Sequence, residues 1–460
     1  MEKSGNSNLG VLPVPKLIRQ FAIPSIIAML VTSLYNIVDQ FFIGRCVGTL
    51  GNTATNVVYP VTICCIAIAL LFGIGAASSF NLAMGAGKKQ KAPFYIGNAV
   101  AMMFCFGVIL GMACLFFKRP ILYFLGVPQE AYSYAAQYLG TTAFGFPFVI
   151  TAAGGAHLVR ADGSPNFSMM MNLSGGILNI FLDALFVYVM GMGMFGAALA
   201  TVIGQILSTV LLVFYLSRFK TVELPLLAFV PRGDVVKRIM SLGASNCFNQ
   251  VAMMTVAVIL NQSLKHYGAL SPYGEAIPLA CAGIATKLMQ IMMAVIIGLA
   301  QAMQPIASFN YGAKNFGRVK QALFCALGVG GVVSVISFAI FQLFPGQLVA
   351  IFGTGSESYM EFGVLFMRTN YFCIFTYFVQ PIISNFFSAI GKPAKGIFLA
   401  LTRQIIFYLP PLLILPVFFG INGIMYACIF ADLMAVLVNV VILRIEFSLD
   451  QYKEVPADGK

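Results

Sequence analysis

Charge is what this sequence has least of. Only 9% of its 460 residues are Asp, Glu, Lys or Arg, against 60% apolar, where a soluble domain carries about 25% charged residues. Histidine is nearly missing too: His157 and His266 are the whole supply, and they lie far apart. The ten Cys include no Cys-x-x-Cys pair, and most sit in apolar stretches, as Cys64-Cys65, Cys105, Cys281 and Cys428 do. Metal-ligand spacing is therefore absent, and the thiols read as small hydrophobes. There is no Walker-type phosphate loop, no His-Glu-x-x-His and no Ser-His-Asp set, so intramembrane enzyme chemistry lacks its residues. The expectation is a chain that is not an enzyme, carries no cofactor and has no nucleic-acid partner.

Long apolar runs are what it has instead. Cutting at the polar breaks gives twelve, at 16–44, 55–84, 93–117, 133–158, 165–190, 194–217, 236–264, 276–304, 319–344, 361–389, 394–418 and 421–445. Each can cross a hydrocarbon core of about 30 Å, for which about 20 helical residues suffice. The 44 Gly suit helices that approach closely in lipid. Met1 to Leu9 is polar and lacks the apolar core of a cleavable signal, so the first run reads as a retained span. The net charge of +12 follows the membrane. Most of the 27 Lys and Arg fall on one side, and only Arg45, Lys118, Arg119 and Lys265 on the other. Lys287 and Arg368 fall inside runs. The positive-inside rule then puts both termini, with Lys3, Lys453 and Lys460, in the cytoplasm of a multi-pass inner-membrane protein.

The second half echoes the first. Gly85-Ala86-Gly87-Lys88 returns as Gly312-Ala313-Lys314, Gly163-Ser164-Pro165 as Gly391-Lys392-Pro393, and Gly196 as Gly423. Six spans per unit is an even number, so both units enter the membrane in one orientation and form parallel repeats with a path between them. The fold class expected is all-α integral membrane: twelve transmembrane helices in two parallel six-helix lobes with pseudo-two-fold symmetry. Residues 1–217 make the amino-terminal lobe, 218–235 a cytoplasmic linker, 236–445 the carboxy-terminal lobe and 446–460 a cytoplasmic tail.

Two carboxylates interrupt this apolar plan. Asp39 lies in the first run and Asp183 in the fifth. An Asp at the centre of a span costs about 2.5–3.5 kcal/mol on insertion scales, so it persists where it is partnered, solvated or useful. Both runs lead outward, which sets Asp39 about 8 Å and Asp183 about eight residues from the outer end. Asn179 precedes Asp183 by four residues and shares its helix face. Thr201, about seven residues into the sixth run, reaches the same depth. This all-oxygen set suits Na⁺ by direct coordination or H⁺ through desolvated, mutually repelling carboxyls. The bland alternative is that each Asp caps a broken helix or bonds a neighbouring span. Pro24 removes a hydrogen bond inside the first run and permits a bend there.

These residues resemble those of the multidrug and toxin extrusion (MATE) family, in its bacterial branch. The features that carry the likeness are Pro24 with Leu34-Tyr35-Asn36-Ile37-Val38-Asp39, Gly85-Ala86-Gly87, Arg160 to Pro165 before Asn179 and Asp183, Gly196-Ala197-Ala198 before Thr201, and Phe309 to Lys314. The resemblance implies a V-shaped pair of lobes and an antiporter that exports organic, often cationic, amphipathic compounds in exchange for H⁺ or Na⁺. It also implies that Asp39, Asn179, Asp183 and Thr201 form the first lobe's cation site, with a possible Na⁺ there, and that span 1 bends at Pro24. One branch of the family carries acids in spans 7 and 10. Here Asn249, Gln250 and Gln380 stand there, so a second-lobe cation site is not expected.

Lys287 and Asp432 lie at one depth in the second lobe and are expected to pair as buried charges. Arg403 is expected to snorkel, and Arg160 to pair with Asp162 on the loop before span 5. The Phe-rich and Met-rich stretches, such as Phe144 to Phe148 and Met289 to Met293, read mostly as lipid-facing or core. A minority would line a cavity for varied apolar cations. The partners expected are drug-like molecules and the bilayer, with the chain acting as a monomer. The alternatives are a lipid or lipid-linked oligosaccharide flippase of related architecture and, more remotely, a passive channel.

Overall fold

The structure is a computed structural model that describes residues 7–351, 356–449 and 452. Lys3, Lys453, Lys460 and most of the expected tail lie outside the described residues. Twelve helices are long and apolar enough to cross a membrane. Numbered in chain order, they are span 1 (Val14–Cys46), 2 (Thr49–Gly85), 3 (Ala92–Phe116), 4 (Gln129–Ala161), 5 (Pro165–Val189), 6 (Gly193–Leu216), 7 (Gly233–Ala269), 8 (Ala276–Gly312), 9 (Phe316–Leu343), 10 (Glu357–Ala389), 11 (Pro393–Phe419) and 12 (Ile421–Phe447). Among the described residues there is no strand. The fold class read from the sequence holds.

The repeat is written into the helix ends. Span 2 closes with Lys88 N donating to Ala83 O, and span 8 with Asn315 N donating to Asn310 O. Span 4 closes with Ser164 N on Val159 O, and span 10 with Lys392 N on Phe387 O. Each is the six-to-one bond of a helix that ends through a left-handed residue. Gly87, Gly163 and Gly391 supply that residue in three cases. Lys314 supplies it in the fourth, with φ at 60°, because it stands where the first unit has Gly87.

Two apolar cores form, and two helices belong to both. The first core runs from Ile43 to Leu216 and takes in Val235 and Ile239 at the start of span 7. The second runs from Val256 to Leu443 and takes in Leu17, Ile18, Phe21 and Ala22 at the start of span 1. Spans 1 and 7 thus pack their first turns on the opposite lobe and the rest on their own.

Glycines let the lobes touch at the end that carries most of the basic loops. A side chain at Gly85 would lie 2.0 Å from Phe309 O, and one at Gly312 would lie 2.3 Å from Leu82 O. The two contacts are copies of one another about the pseudo-two-fold axis. Gly243 abuts Leu71 O and Gly75 abuts Ile239 O, while Gly298 abuts the Ile26 backbone. Gln304 Nε2 adds bonds to Ile74 O at 3.1 Å and Ser78 Oγ at 2.9 Å. Arg318 and Asn310 hold the chain just before span 1, donating to Leu9 O and, from Arg318, to Leu12 O. The basic end is closed.

Candidate functional site

Spans 5 and 6 are drawn together by their smallest residues. A side chain at Gly204 would meet Gly175 O at 2.6 Å, and one at Gly175 would meet Gly204 O at 2.7 Å. Ser208 Oγ tightens the contact by donating to Met171 O at 3.1 Å. Small residues of this kind allow membrane helices to approach closely. One turn further out, the approach sets Asn179 Nδ2 3.4 Å from Thr201 Oγ1. Span 1 joins by laying Tyr35 against Gly176, whose added carbon would stand 3.2 Å from the ring.

Asp39 of span 1 and Asp183 of span 5 then lie near one another where these two helices pack. Asp183 is fully buried and Asn179 is 3% exposed. Asp39 and Thr201 are half-buried. No protein donor reaches Asp39 Oδ1, either oxygen of Asp183, or Asn179 Oδ1. Four buried acceptor oxygens without a hydrogen bond are costly unless a proton, a cation or water completes them. Directly after Asp183 the helix widens into a π turn, Ala184–Val189. Such turns recur at functional sites, and this one follows the very residue whose carboxylate is orphaned. The four residues singled out from the sequence thus lie together where spans 1, 5 and 6 pack.

Pro24 lies fifteen residues before Asp39, inside one continuous helix. It follows Leu17 to Ala22, which pack on the second lobe, and precedes Ile43, which packs on the first. Two residues beyond it, Ile26 meets Gly298 of span 8.

The second lobe corrects two expectations. Asp432 pairs with Arg403, at 2.7 Å to Nη2 and 2.8 Å to Nε, and not with Lys287, which is exposed. Shared depth places two residues in one layer but does not say which way their helix faces turn. Arg403 therefore does not snorkel. It sits in a π turn of span 11, Thr402–Tyr408, with its guanidinium 4.6 Å over the Tyr377 ring. Tyr377 lies where span 10 breaks, between Glu357–Asn370 and Val379–Ala389. Arg160 likewise does not pair with Asp162. It meets Ser168 Oγ at 3.1 Å and His157 Nδ1 at 3.0 Å. Asp162 instead accepts from Tyr215, from the backbone of Lys220 and Thr221, and from the Thr221 hydroxyl. Burial pushes the Asp162 carboxyl up from its ordinary value, against these bonds.

Tyr138 was missed from the sequence. It lies within electrostatic reach of both first-lobe carboxyls, as Tyr35 does of Asp39. Nothing in spacing ties span 4 to spans 1 and 5, so only coordinates could add it. A separate groove of about 530 Å³, lined by Leu115, Lys118, Gln137, Phe144 and Phe195 among others, holds none of the four site residues.

The MatE family model matches residues 24–185 and 245–414, one stretch per lobe. The chain belongs to the MatE family. It is 23% identical over 442 residues to the multidrug export protein MepA of Staphylococcus aureus strain MRSA252, an alignment that covers 95% of this chain and 96% of that protein. Its fold matches an outward-facing MATE transporter of the MOP superfamily with a TM-score of 0.90 at 23% identity, over 98% of this chain and 99% of the other. It also matches a MOP superfamily transporter from Pyrococcus furiosus with a TM-score of 0.89 at 22% identity, over 96% and 98%. These MatE relatives are transporters and not enzymes.

Proposed function

We propose that this MatE chain is a secondary exporter of drug-like, often cationic, amphipathic compounds, driven by inward exchange of H⁺ or Na⁺ across a bacterial plasma membrane. One observation carries the reading: the buried acceptor oxygens of Asp39, Asp183 and Asn179 have no donor, and Thr201 stands beside them. An ionised carboxylate left alone in such a site is strongly disfavoured, so it takes up a proton or a metal cation. The export names carried by the relatives support the substrate class. The basic loops favour cytoplasmic termini, and the closed basic end then corresponds to a state open outward.

The coupling step follows from span 1. Its inner half belongs to the second core and its outer half carries Asp39, with Pro24 between them. Neutralising the carboxyl pair removes their repulsion and lets span 1 repack against span 5. A bend at Pro24 passes that change to Ile26 and Gly298, where the lobes touch. The ion thereby binds one of the two lobe arrangements better than the other, which is the condition for shifting their balance. No second chain is needed to complete the site.

The test is efflux of a fluorescent organic cation from proteoliposomes with pH and Na⁺ gradients imposed separately. Asp39→Asn and Asp183→Asn are expected to abolish gradient-driven efflux while leaving the protein inserted and thermally stable. Wild-type efflux in both variants would refute the assignment.

A further inference from the structure

The chain between the lobes is too apolar and too firmly held to be a free tether. Pro225 to Pro231 reads Pro-Leu-Leu-Ala-Phe-Val-Pro, with a short helical turn at Leu226–Phe229. Leu226 is 89% exposed, Leu227 59% and Val230 52%. A flexible linker would not fix such side chains outward. Here the backbone is pinned at both ends. Asn98 of span 3 donates to Ala228 O at 2.8 Å and Val230 O at 3.0 Å, and accepts from Arg232 N at 2.6 Å. Gly97 has no side chain, which lets Ala228 O press to 2.3 Å of where a carbon would stand. At the other end Asp162 takes the backbone N–H groups of Lys220 and Thr221.

The pinning point gives a depth. Span 3 has 25 residues, about 37 Å, so it overhangs a hydrocarbon core of about 30 Å by about 4 Å at each end. Asn98 lies six residues in from Ala92, about 9 Å, and so about 5 Å inside the apolar boundary. That is the depth at which interfacial apolar segments bury themselves. Charge around the turn complements a lipid surface: Arg218, Lys220, Arg232, Lys237 and Arg238 are all exposed. Glu223 and Asp234 are the acids of this stretch, so bases outnumber them. Arg232 lies with its guanidinium 3.9 Å over the Phe94 ring, at the level of the boundary.

We propose that the segment from Arg218 to Arg238 is an interfacial strap. Leu226, Leu227 and Val230 insert among the acyl chains of one leaflet, and Arg218, Lys220 and Arg232 hold anionic phospholipid headgroups. The orientation proposed above makes this the inner leaflet, and the strap rests on the membrane placement of span 3. It fixes the lobe-to-lobe connection to the bilayer, so that the first lobe and its leaflet move as one.

The chain contains no Trp, so Leu226→Trp and, separately, Leu227→Trp each report alone. The full chain is reconstituted in phosphatidylcholine vesicles with or without phosphatidylglycerol, using lipids brominated near the top of the acyl chain. Expected are a blue-shifted emission and strong bromine quenching that deepens with phosphatidylglycerol. Arg218→Gln, Lys220→Gln and Arg232→Gln together are expected to remove that increment. Emission typical of water, quenched by acrylamide and not by brominated lipid, would overturn the strap. Equal quenching with and without phosphatidylglycerol would overturn headgroup binding, as would inorganic phosphate reproducing its effect in neutral vesicles. The readout needs no transport, so a negative result here would leave the exchange reading standing.

Discussion

Asp183 and Asp432 are both carboxylates buried in apolar helices, yet their surroundings are opposite. Asp183 has no donor on either oxygen, while Asp432 is held by Arg403 through two nitrogens. In the function proposed above the first takes a mobile cation, whereas the second has a fixed one, Arg403 on the neighbouring span 11. Removing one partner of a buried pair leaves the other charge stranded, at about 3–5 kcal/mol, whereas replacing both with apolar residues is often neutral. Asp432→Ala is therefore expected to lower the melting temperature in detergent far more than Arg403→Met with Asp432→Leu, and Lys287→Ala to leave it unchanged. Thr201→Ala removes one hydroxyl from the first-lobe set. At about 1 kcal/mol for such a group, the cation concentration for half-maximal efflux should rise about five-fold. The first-lobe acids could be found in the sequence because a lone charge stands out in an apolar run. The pairing of Asp432 could not, since depth pointed to Lys287 and only the coordinates show that the Asp432 face of span 12 turns to Arg403.

Among the elements, span 1 carries the most consequence. Its length and apolar character gave its limits to within a few residues, and Pro24 could be marked as a weak point. Its division between two cores could not be read, because that depends on which helix its first turns meet. Pro24→Ala restores a backbone bond and stiffens the junction between the halves. It is expected to raise thermal stability, leave cation binding intact and cut efflux by about tenfold, or 1.4 kcal/mol in the conformational step. Binding can be followed by Na⁺- or proton-dependent thermal shifts. The π turns after Asp183 and around Arg403 were also out of reach, since one extra residue in a turn leaves no mark on composition.

For the whole molecule, the offset of the Gly85 and Gly312 motifs was visible in the sequence, but its structural meaning was not. It marks the residues where the two lobes meet. Gly243→Val would put a carbon 1.8 Å from Leu71 O, and backbone cannot yield as a flexible side chain would. Spans 2 and 7 must part. Spin labels at the exposed Lys88 and Lys314, with the native cysteines replaced, are expected to move apart in this variant, and efflux should fall with the population of the closed state. An unchanged distance distribution would show that the glycine contact does not hold the basic end shut.

The paired contact of Gly85 with Phe309 and of Gly312 with Leu82 has an evolutionary corollary. A surface that meets its own copy across a two-fold axis is what two identical subunits need in order to dimerise. A gene encoding one six-helix half would already have possessed that surface, before any fusion joined two of them. Fusion would then have freed each half to diverge, one keeping acids whose buried oxygens have no protein donor and the other pairing its acid with an arginine.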